Sequence, residues 1–319
     1  MAKESLPTFS IVVPVYNSQD SLEKLVNRLD SVFVKLNTTW QLILVNDCSK
    51  DKSWDVIQSI QSKHPQIIAI NLLNNFGQPN AIMCGLNHAN GKYIITMDDD
   101  LQHPPEEIPK LYHYLLKHNL SVVYGQYQSN KDRKRGLLRD IASLTVHKLI
   151  SKITGSGYAV TSYRIMDQQV VQNLCKSSQY YVMIDVLIKD TVSPMYIGTC
   201  PVEHHERTIG KSNYSYKKLA MYALNMIFTF TTWPLRLATI LGLIFSAISF
   251  AAALFYVVYY LIAGINVSGW TSLMLSVTFL SGVILFVLGI IGEYLGRIFL
   301  NVSNKPQYII KEIKQKNQK

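Results

Sequence analysis

Two periodicities alternate along the first 125 residues. Phe9 to Val15 is a short apolar run rich in β-branched residues, ended by the polar Tyr16 and Asn17. Ser21 to Leu36 then spaces its apolar residues three and four apart, the period of a helix with one buried face. The pair repeats. Gln41 to Val45 reads as a strand ending in Asn46-Asp47, with a helix over roughly Ser53 to Ser62. Ile67 to Leu72 is a third strand, followed by a helix from Gln78 to Asn90. Lys92 to Met97 is a fourth, with a helix from Pro105 to His118, and Leu120 to Tyr124 is a fifth. Strands alternating with helices predict an α/β fold, a mostly parallel sheet covered on both faces.

The pattern changes after Trp233. No charged residue occurs from Leu237 to Ile262, nor from Val267 to Gly292. Each run exceeds the ~20 residues that cross a bilayer. The linker Ala263 to Trp270 lacks Lys and Arg, whereas Lys211, Lys217, Lys218 and Arg236 precede the first run. Arg297, Lys305, Lys311, Lys314, Lys316 and Lys319 follow the second. The positive-inside rule then puts both termini and the large N-terminal region in the cytoplasm, with two transmembrane helices and a short outer loop. Ala2-Lys3-Glu4-Ser5 runs straight into the first strand, so no signal peptide is expected. The resulting division is a catalytic-sized domain over 1–212, juxtamembrane helices over 213–235, a hairpin over 236–298 and a basic cytoplasmic tail over 299–319. Tyr214 to Thr232, aromatic and Met-rich behind Lys217 and Lys218, reads as a helix lying at headgroup level.

Composition sharpens this picture in two places. The mean hydropathy of +0.11 is high for a soluble chain, and the excess comes from the C-terminal third. A formal charge of +10 over 319 residues suits anionic headgroups and a phosphate-bearing substrate. No nucleic-acid module accompanies it, so nucleic acid is not an expected partner. Cys48, Cys84, Cys175 and Cys200 lack metal-ligand spacing and read as free thiols of a reducing compartment. Gly155-Ser-Gly157 has Val160 where a dinucleotide fingerprint needs glycine, and no Lys-Ser/Thr pair follows, which excludes dehydrogenase and P-loop readings.

Candidate chemistry sits at the strand ends. Asp98-Asp99-Asp100 closes the fourth strand, where open α/β sheets place their ligands. Carboxylates two apart with Gln102 nearby suit a hard divalent cation that also holds a pyrophosphate. A turn capping the helix near Pro105 would need only one of them. Asp47 can accept from a base edge or ribose, or make an Asx turn toward the following helix, and its sequence context favours neither. The amides of Asn74-Asn75-Phe76-Gly77-Gln78, between strand and helix, are candidates for phosphate.

Val13-Pro-Val-Tyr-Asn17, Val45-Asn-Asp-Cys-Ser-Lys-Asp51, Asn75-Phe-Gly-Gln78 and Asp98-Asp-Asp-Leu-Gln-His-Pro-Pro-Glu106 come in the order and spacing of inverting nucleotide-sugar glycosyltransferases of the GT-A fold, a Rossmann-like architecture. More narrowly, the chain resembles the polyprenyl-phosphate glycosyltransferases, among them dolichol-phosphate mannose synthases and the two-span bacterial undecaprenyl-phosphate (bactoprenol) glucosyltransferases. The likeness extends to Gly289-Ile-Ile-Gly-Glu-Tyr-Leu-Gly-Arg297, where Glu293 and Arg297 read as a structural pair. The resemblance implies Asp98, Asp100 and Gln102 as ligands for Mg²⁺ or Mn²⁺, leaving His103 a supporting role. It implies a donor pocket of Pro14, Tyr16, Asn17, Asp47, Asn75, Gln78, Asp98 and Asp99, with a UDP-sugar favoured and a hexose expected. It further implies an acceptor site for a polyprenyl phosphate built from Ser162, Arg164, Arg207, Lys211 and Ser212. Asp98, Asp100, Arg164 and Arg207 would carry catalysis, with Arg207-Thr-Ile-Gly-Lys-Ser212 as a closing loop. A homo-oligomer is compatible with that relationship.

Two departures bear on the acceptor side. Many bacterial relatives carry Asp where this chain has Ser162. They carry arginine after the fifth strand, where this chain has Gly125-Gln-Tyr-Gln128 and only then Lys131, Arg133 and Arg135. Two rival readings remain. A processive polysaccharide synthase would carry Gln-x-x-Arg-Trp, and none of Trp40, Trp54, Trp233 and Trp270 follows an Arg. A non-catalytic lipid-phosphate or nucleotide-sugar binder would have no need of the acidic set.

Overall fold

The computed structural model describes residues 6–127, 161–177, 179, 182–203, 232–263, 269–303 and 305–315. The chain divides into one compact unit of Met1–Asn213 with Pro306–Lys319, and a second of Tyr214–Lys305.

In the first unit, β1 (Phe9–Val15), β2 (Trp40–Asn46), β3 (Ile67–Leu72) and β4 (Tyr93–Thr96) alternate with α1 (Leu22–Leu36), α2 (Ser53–Lys63) and α3 (Gln78–Asn87). A 3₁₀ turn at Pro105–Glu107 leads into α4 (Ile108–Lys117), and β5 (Val122–Tyr127) follows. Beyond these lie β6 (Arg164–Asp167), α5 (Gln168–Leu174), α6 (Ile184–Thr191) and β7 (Ile197–Val202). The sheet is completed by β8 (Ile310–Lys314), in the order β7-β5-β6-β4-β1-β2-β3-β8. β1 pairs parallel with β2 and β4, β2 with β3, and β5 with β7, while β6 and β8 run against their neighbours.

The alternation of strand side chains explains the two layers. Phe9, Ile11, Val13 and Val15 face Leu22, Leu25, Leu29 and Phe33 of α1, with Ile57 and Leu111 beyond. Val12, Ile43, Val45, Ile68 and Ile70 face Ala81, Ile82 and Met83 of α3, and this layer continues to Val170 and Ile188. At Gly85 a Cβ would meet Val12 Cγ1 at 2.3 Å, so α3 approaches β1 more closely than a larger residue permits.

Pro14 stands inside a central strand, a position normally closed to a residue without an N–H. The register removes the conflict. β4 pairs with β1 only from Phe9 to Val12, and Met97 donates to the Val12 carbonyl as the last bond on that side. Residues two apart face the same neighbour, so the missing donor of Pro14 falls where β4 has already ended.

Residues 299–319, expected as a basic tail, contain β8. Ile313 pairs with Ile70 and Glu312 with Asn71, and the Leu73 amide donates to Ile309 O. Gln307 Nε2 adds bonds to the carbonyls of Ser177 (3.0 Å) and Gln179 (2.8 Å). The Ile309-Ile310 and Ile313 signal is short and flanked by lysines, which hides the strand.

The second unit holds α7 (Trp233–Ala263) and α8 (Trp270–Val302), of 31 and 33 residues. At ~1.5 Å per residue each exceeds the ~30 Å of a hydrocarbon core. Among the described residues one stretch, Phe279–Val302, is long and apolar enough to cross a membrane, and Trp233–Phe245 of α7 is a shorter apolar stretch. Arg297 bonds Glu293 at 2.7 Å, the i,i+4 pair expected there.

Candidate active site

Because β1, β2 and β4 run parallel, the turns that follow them open at the same end of the sheet, and the polar strand ends meet there. Asn17 stitches the first two turns together. Its backbone lies in the left-handed region (φ 54°), its N–H donates to Ser49 Oγ at 3.0 Å, and its Oδ1 accepts from the Lys50 amide at 2.8 Å. Tyr16 is 43% exposed at the mouth, while Pro14 is buried in the sheet.

The turn after β2 is closed by Asp47, which is 3% exposed. Its two oxygens accept the amides of Phe76 (2.7 Å) and Gly77 (2.9 Å), and Asn75 Nδ2 donates to its carbonyl at 3.1 Å. Burial pushes its carboxyl pKa up, against the two amides that favour the anion. Gly77 adopts φ 85°, a conformation that suits glycine, and aims these donors across the loop. Two of the five candidate amides for phosphate, those of Phe76 and Gly77, are therefore occupied by Asp47, a negative charge at the start of α3 where the helix dipole favours one. Asp47 does not make the Asx turn toward the following helix; its carboxylate holds the amides that lead into a helix about 30 residues downstream.

The turn after β4 is built differently. Asp99 points to β1, accepting from the Tyr16 amide at 3.3 Å, and burial, with Asp98 and Asp100 beside it, lifts its pKa to about 6. Leu101 takes φ 59°, rare for a bulky residue, and its side chain is buried, so the core holds the turn in this form. Asp100 Oδ1 accepts the Gln102 amide at 3.1 Å. Asp98 receives Gln78 Nε2 on Oδ1 at 2.7 Å and Ser162 Oγ on Oδ2 at 2.7 Å. His103 Nδ1 lies 3.8 Å from the same Oδ2. One ligand atom each from Asp98, Asp100 and His103 fall within 4.8 Å of one another.

His103, given a supporting role by the resemblance, lies beside the carboxylates. It is 3% exposed, stacked on Tyr127 at 5.4 Å and held through Nε2 by the Tyr127 hydroxyl, which directs Nδ1 toward the carboxylates. Such outer support is typical of a histidine that ligates a metal. Burial, with Asp98 and Asp100 nearby, drives the Tyr127 phenol well above its ordinary pKa. Gln102, the expected third ligand, joins the turn through its backbone.

Arg164 is placed otherwise than expected. It is 3% exposed, donates through Nε to Thr96 Oγ1 at 3.0 Å, and is ion-paired with Asp185 of α6. Burial alone would lower its pKa, but Asp185 and Tyr124 outweigh this. The guanidinium is thus occupied inside the fold. Neither Asp185 nor Thr96 carried a sequence signal, since one sits on an amphipathic helix and the other inside an apolar strand. Arg207, Lys211 and Ser212, with Lys131, Arg133, Arg135 and Tyr214–Thr232, lie outside the described residues.

Residues 10–175 match glycosyl transferase family 2. The chain is 34% identical over 321 residues to the undecaprenyl-phosphate 4-deoxy-4-formamido-L-arabinose transferase of Photorhabdus laumondii, covering 98% of this chain and 96% of that one. It is 33% identical to the Klebsiella pneumoniae protein of the same name, covering 95% and 93%, and 33% identical to an uncharacterised glycosyltransferase of Synechocystis, covering 95% of each. The chain belongs to glycosyltransferase family 2. Among solved structures, this family 2 glycosyltransferase superposes on glucosyl-3-phosphoglycerate synthase of Mycobacterium tuberculosis, crystallised with Mn²⁺, UDP and phosphoglyceric acid. The TM-score is 0.52 at 16% identity, over 70% of this chain and 77% of that one, a likeness of GT-A-type fold.

Proposed function

We propose that this family 2 glycosyltransferase moves a sugar from a UDP-sugar to undecaprenyl phosphate at the cytoplasmic face of the cell membrane, with inversion at the anomeric carbon. The observation that carries the reading is the gathering of Asp98, Asp100 and His103 beside the mouth formed by Tyr16 and Asn17, in a chain a third identical along its length to enzymes named for that lipid acceptor.

The donor set fits a divalent cation. Two carboxylates suit Mg²⁺ or Mn²⁺, and an imidazole among them favours the softer Mn²⁺. Such an ion, when bound, neutralises charge on the departing pyrophosphate. Asp98 and Asp100 would hold it, with His103 or the Gln102 amide oxygen as third ligand. A lipid phosphate is already anionic near neutral pH, with a second pKa of ~6, so it attacks without a general base. That accounts for Ser162, whose hydroxyl is engaged with Asp98 and abstracts nothing. Arg207 and Lys211 are proposed to close over the phosphates and exclude water.

Connectivity supports the proposed membrane arrangement. Residues before 214 and after 305 belong to one folded unit through β8. A segment that leaves a domain and rejoins it crosses a bilayer an even number of times. With Phe279–Val302 as one span, the uncharged Leu237–Ile262 is the proposed second.

Purified protein in detergent, given undecaprenyl phosphate, Mn²⁺ and radiolabelled UDP-sugars, tests the reading. The panel needs UDP-hexoses beside the UDP-linked formamido-pentose for which the relatives are named. Label in the organic phase from one donor, lost with EDTA, is expected. Label in an aqueous polymer would make the protein a polysaccharide synthase, and no transfer from any donor would leave a binding role.

A further inference from the structure

Arg164 has a role that its burial away from solvent makes possible. Three adjacent strands bring Thr96, Arg164 and Tyr124 into direct register, Thr96 opposite Arg164 across β4 and β6, and Tyr124 opposite Arg164 across β6 and β5. Asp185 of α6 closes this row from the helix layer, paired with Arg164 and accepting the Tyr124 hydroxyl at 3.2 Å. On the other side, Thr96 Oγ1 accepts from Arg164 and donates onward to the Ser162 carbonyl at 2.6 Å. The Ser162 hydroxyl then donates to Asp98 Oδ2 at 2.7 Å. Arg164 is thus the source of donors on both sides, to Asp185 through one amine and to Thr96 through Nε, and from Thr96 the contacts continue through the two ends of Ser162 to Asp98.

We infer that Asp185, Arg164 and Thr96 are positioning residues for the metal site, a buried relay that fixes Ser162 and through it the orientation of the Asp98 carboxylate. The physical need is specific. Asp98 and Asp100 repel each other, and without a cation the cheapest response is for one carboxylate to rotate away. Gln78 restrains one oxygen of Asp98, and Ser162 restrains the other. Ser162 lies in the short non-helical segment just before β6, and Thr96 holds its carbonyl. Thr96 is fully buried, so its hydroxyl has no water to replace Arg164 as donor. The relay therefore works as one piece, anchored by an ion pair that is costly to separate.

The inference rests on the proposed metal reading, and the test separates the two. Mn²⁺ is titrated by electron paramagnetic resonance into full-length protein in detergent, with thermal midpoints recorded in parallel. Thr96→Val keeps the shape and deletes the hydroxyl; it is expected to weaken Mn²⁺ about tenfold, the scale of lost outer-shell partners. Ser162→Ala is expected to weaken it several-fold with little change in midpoint. Thr96→Ser, which restores the hydroxyl, should bind like the wild type. Asp185→Asn should behave like Thr96→Val; if it fails to fold, Thr96→Val and Ser162→Ala still decide. Wild-type Mn²⁺ affinity in both of those variants, whatever their midpoints, overturns the relay and leaves the metal reading standing. Absence of Mn²⁺ binding in the wild type overturns both.

Discussion

Asp47 and Asp98 sit at the same end of the same sheet, one strand apart from β1 on either side, yet their surroundings are opposite. The first carboxylate is enclosed and answered by two main-chain amides of its own fold. The second is crowded by carboxylates in a strained turn, restrained by side chains, with a histidine directed at it. A protein that needed only to close its loops would build both turns like the first. The contrast separates a charge answered within its own fold from one to which the proposed function gives a metal ion as partner.

Substitutions should split accordingly, and the largest effect is expected at the acidic turn. Asp100→Ala should cut sugar transfer by more than about a hundredfold, beyond what outer-shell losses cause, while its melting temperature stays within a few degrees of wild type. Asp47→Ala should do the reverse in the first instance. It strands two part-buried amides, at about 1 kcal/mol or more each, and should lower the melting temperature by roughly 5 °C or more on the scale for a domain of this size. If Asp47→Ala melts like the wild type, the contrast between the turns fails.

Mn²⁺ sharpens the comparison. At about 100 times its Kd it should stabilise the wild type by ~2.7 kcal/mol, a rise of several degrees that Asp98→Asn and Asp100→Ala do not show and Asp47→Asn retains. The smallest effect concerns pH. Burial raises the Asp47 pKa, so in the window above 3.8 the folded state holds more protons than the unfolded one. Its contribution is then fully present below that window and falls as pH rises through it. The stability of wild type relative to Asp47→Asn should accordingly shrink as pH rises from about 4, measurable by thermal melts at stepped pH.

Local pattern revealed the parallel half of the sheet, because β1 to β4 are continuous apolar runs separated by helices of clear period. It also located the acidic turn, since three adjacent aspartates at a strand end have few other uses. What it missed depends on partners distant in the chain. Asp47 reads equally as a base or ribose acceptor and as a turn residue until Phe76 and Gly77 are folded against it. Arg164 looks like a phosphate ligand until Asp185, on a helix, takes its charge. His103 gains its direction from Tyr127, which lies on the next strand. β6, four residues long, is too short to announce a strand, and β8 is masked by its lysines.

The return of β8 to the sheet has a consequence for biosynthesis. The edge of β3 can be paired only after the ribosome has made both long helices, which lie between the two strands in the chain. Until then the newborn domain carries an open strand edge, the feature by which nascent chains stick to one another. In the proposed membrane arrangement, insertion and completion of the sheet are thereby tied in time, and a version ended before Trp233 would keep the exposed edge for good.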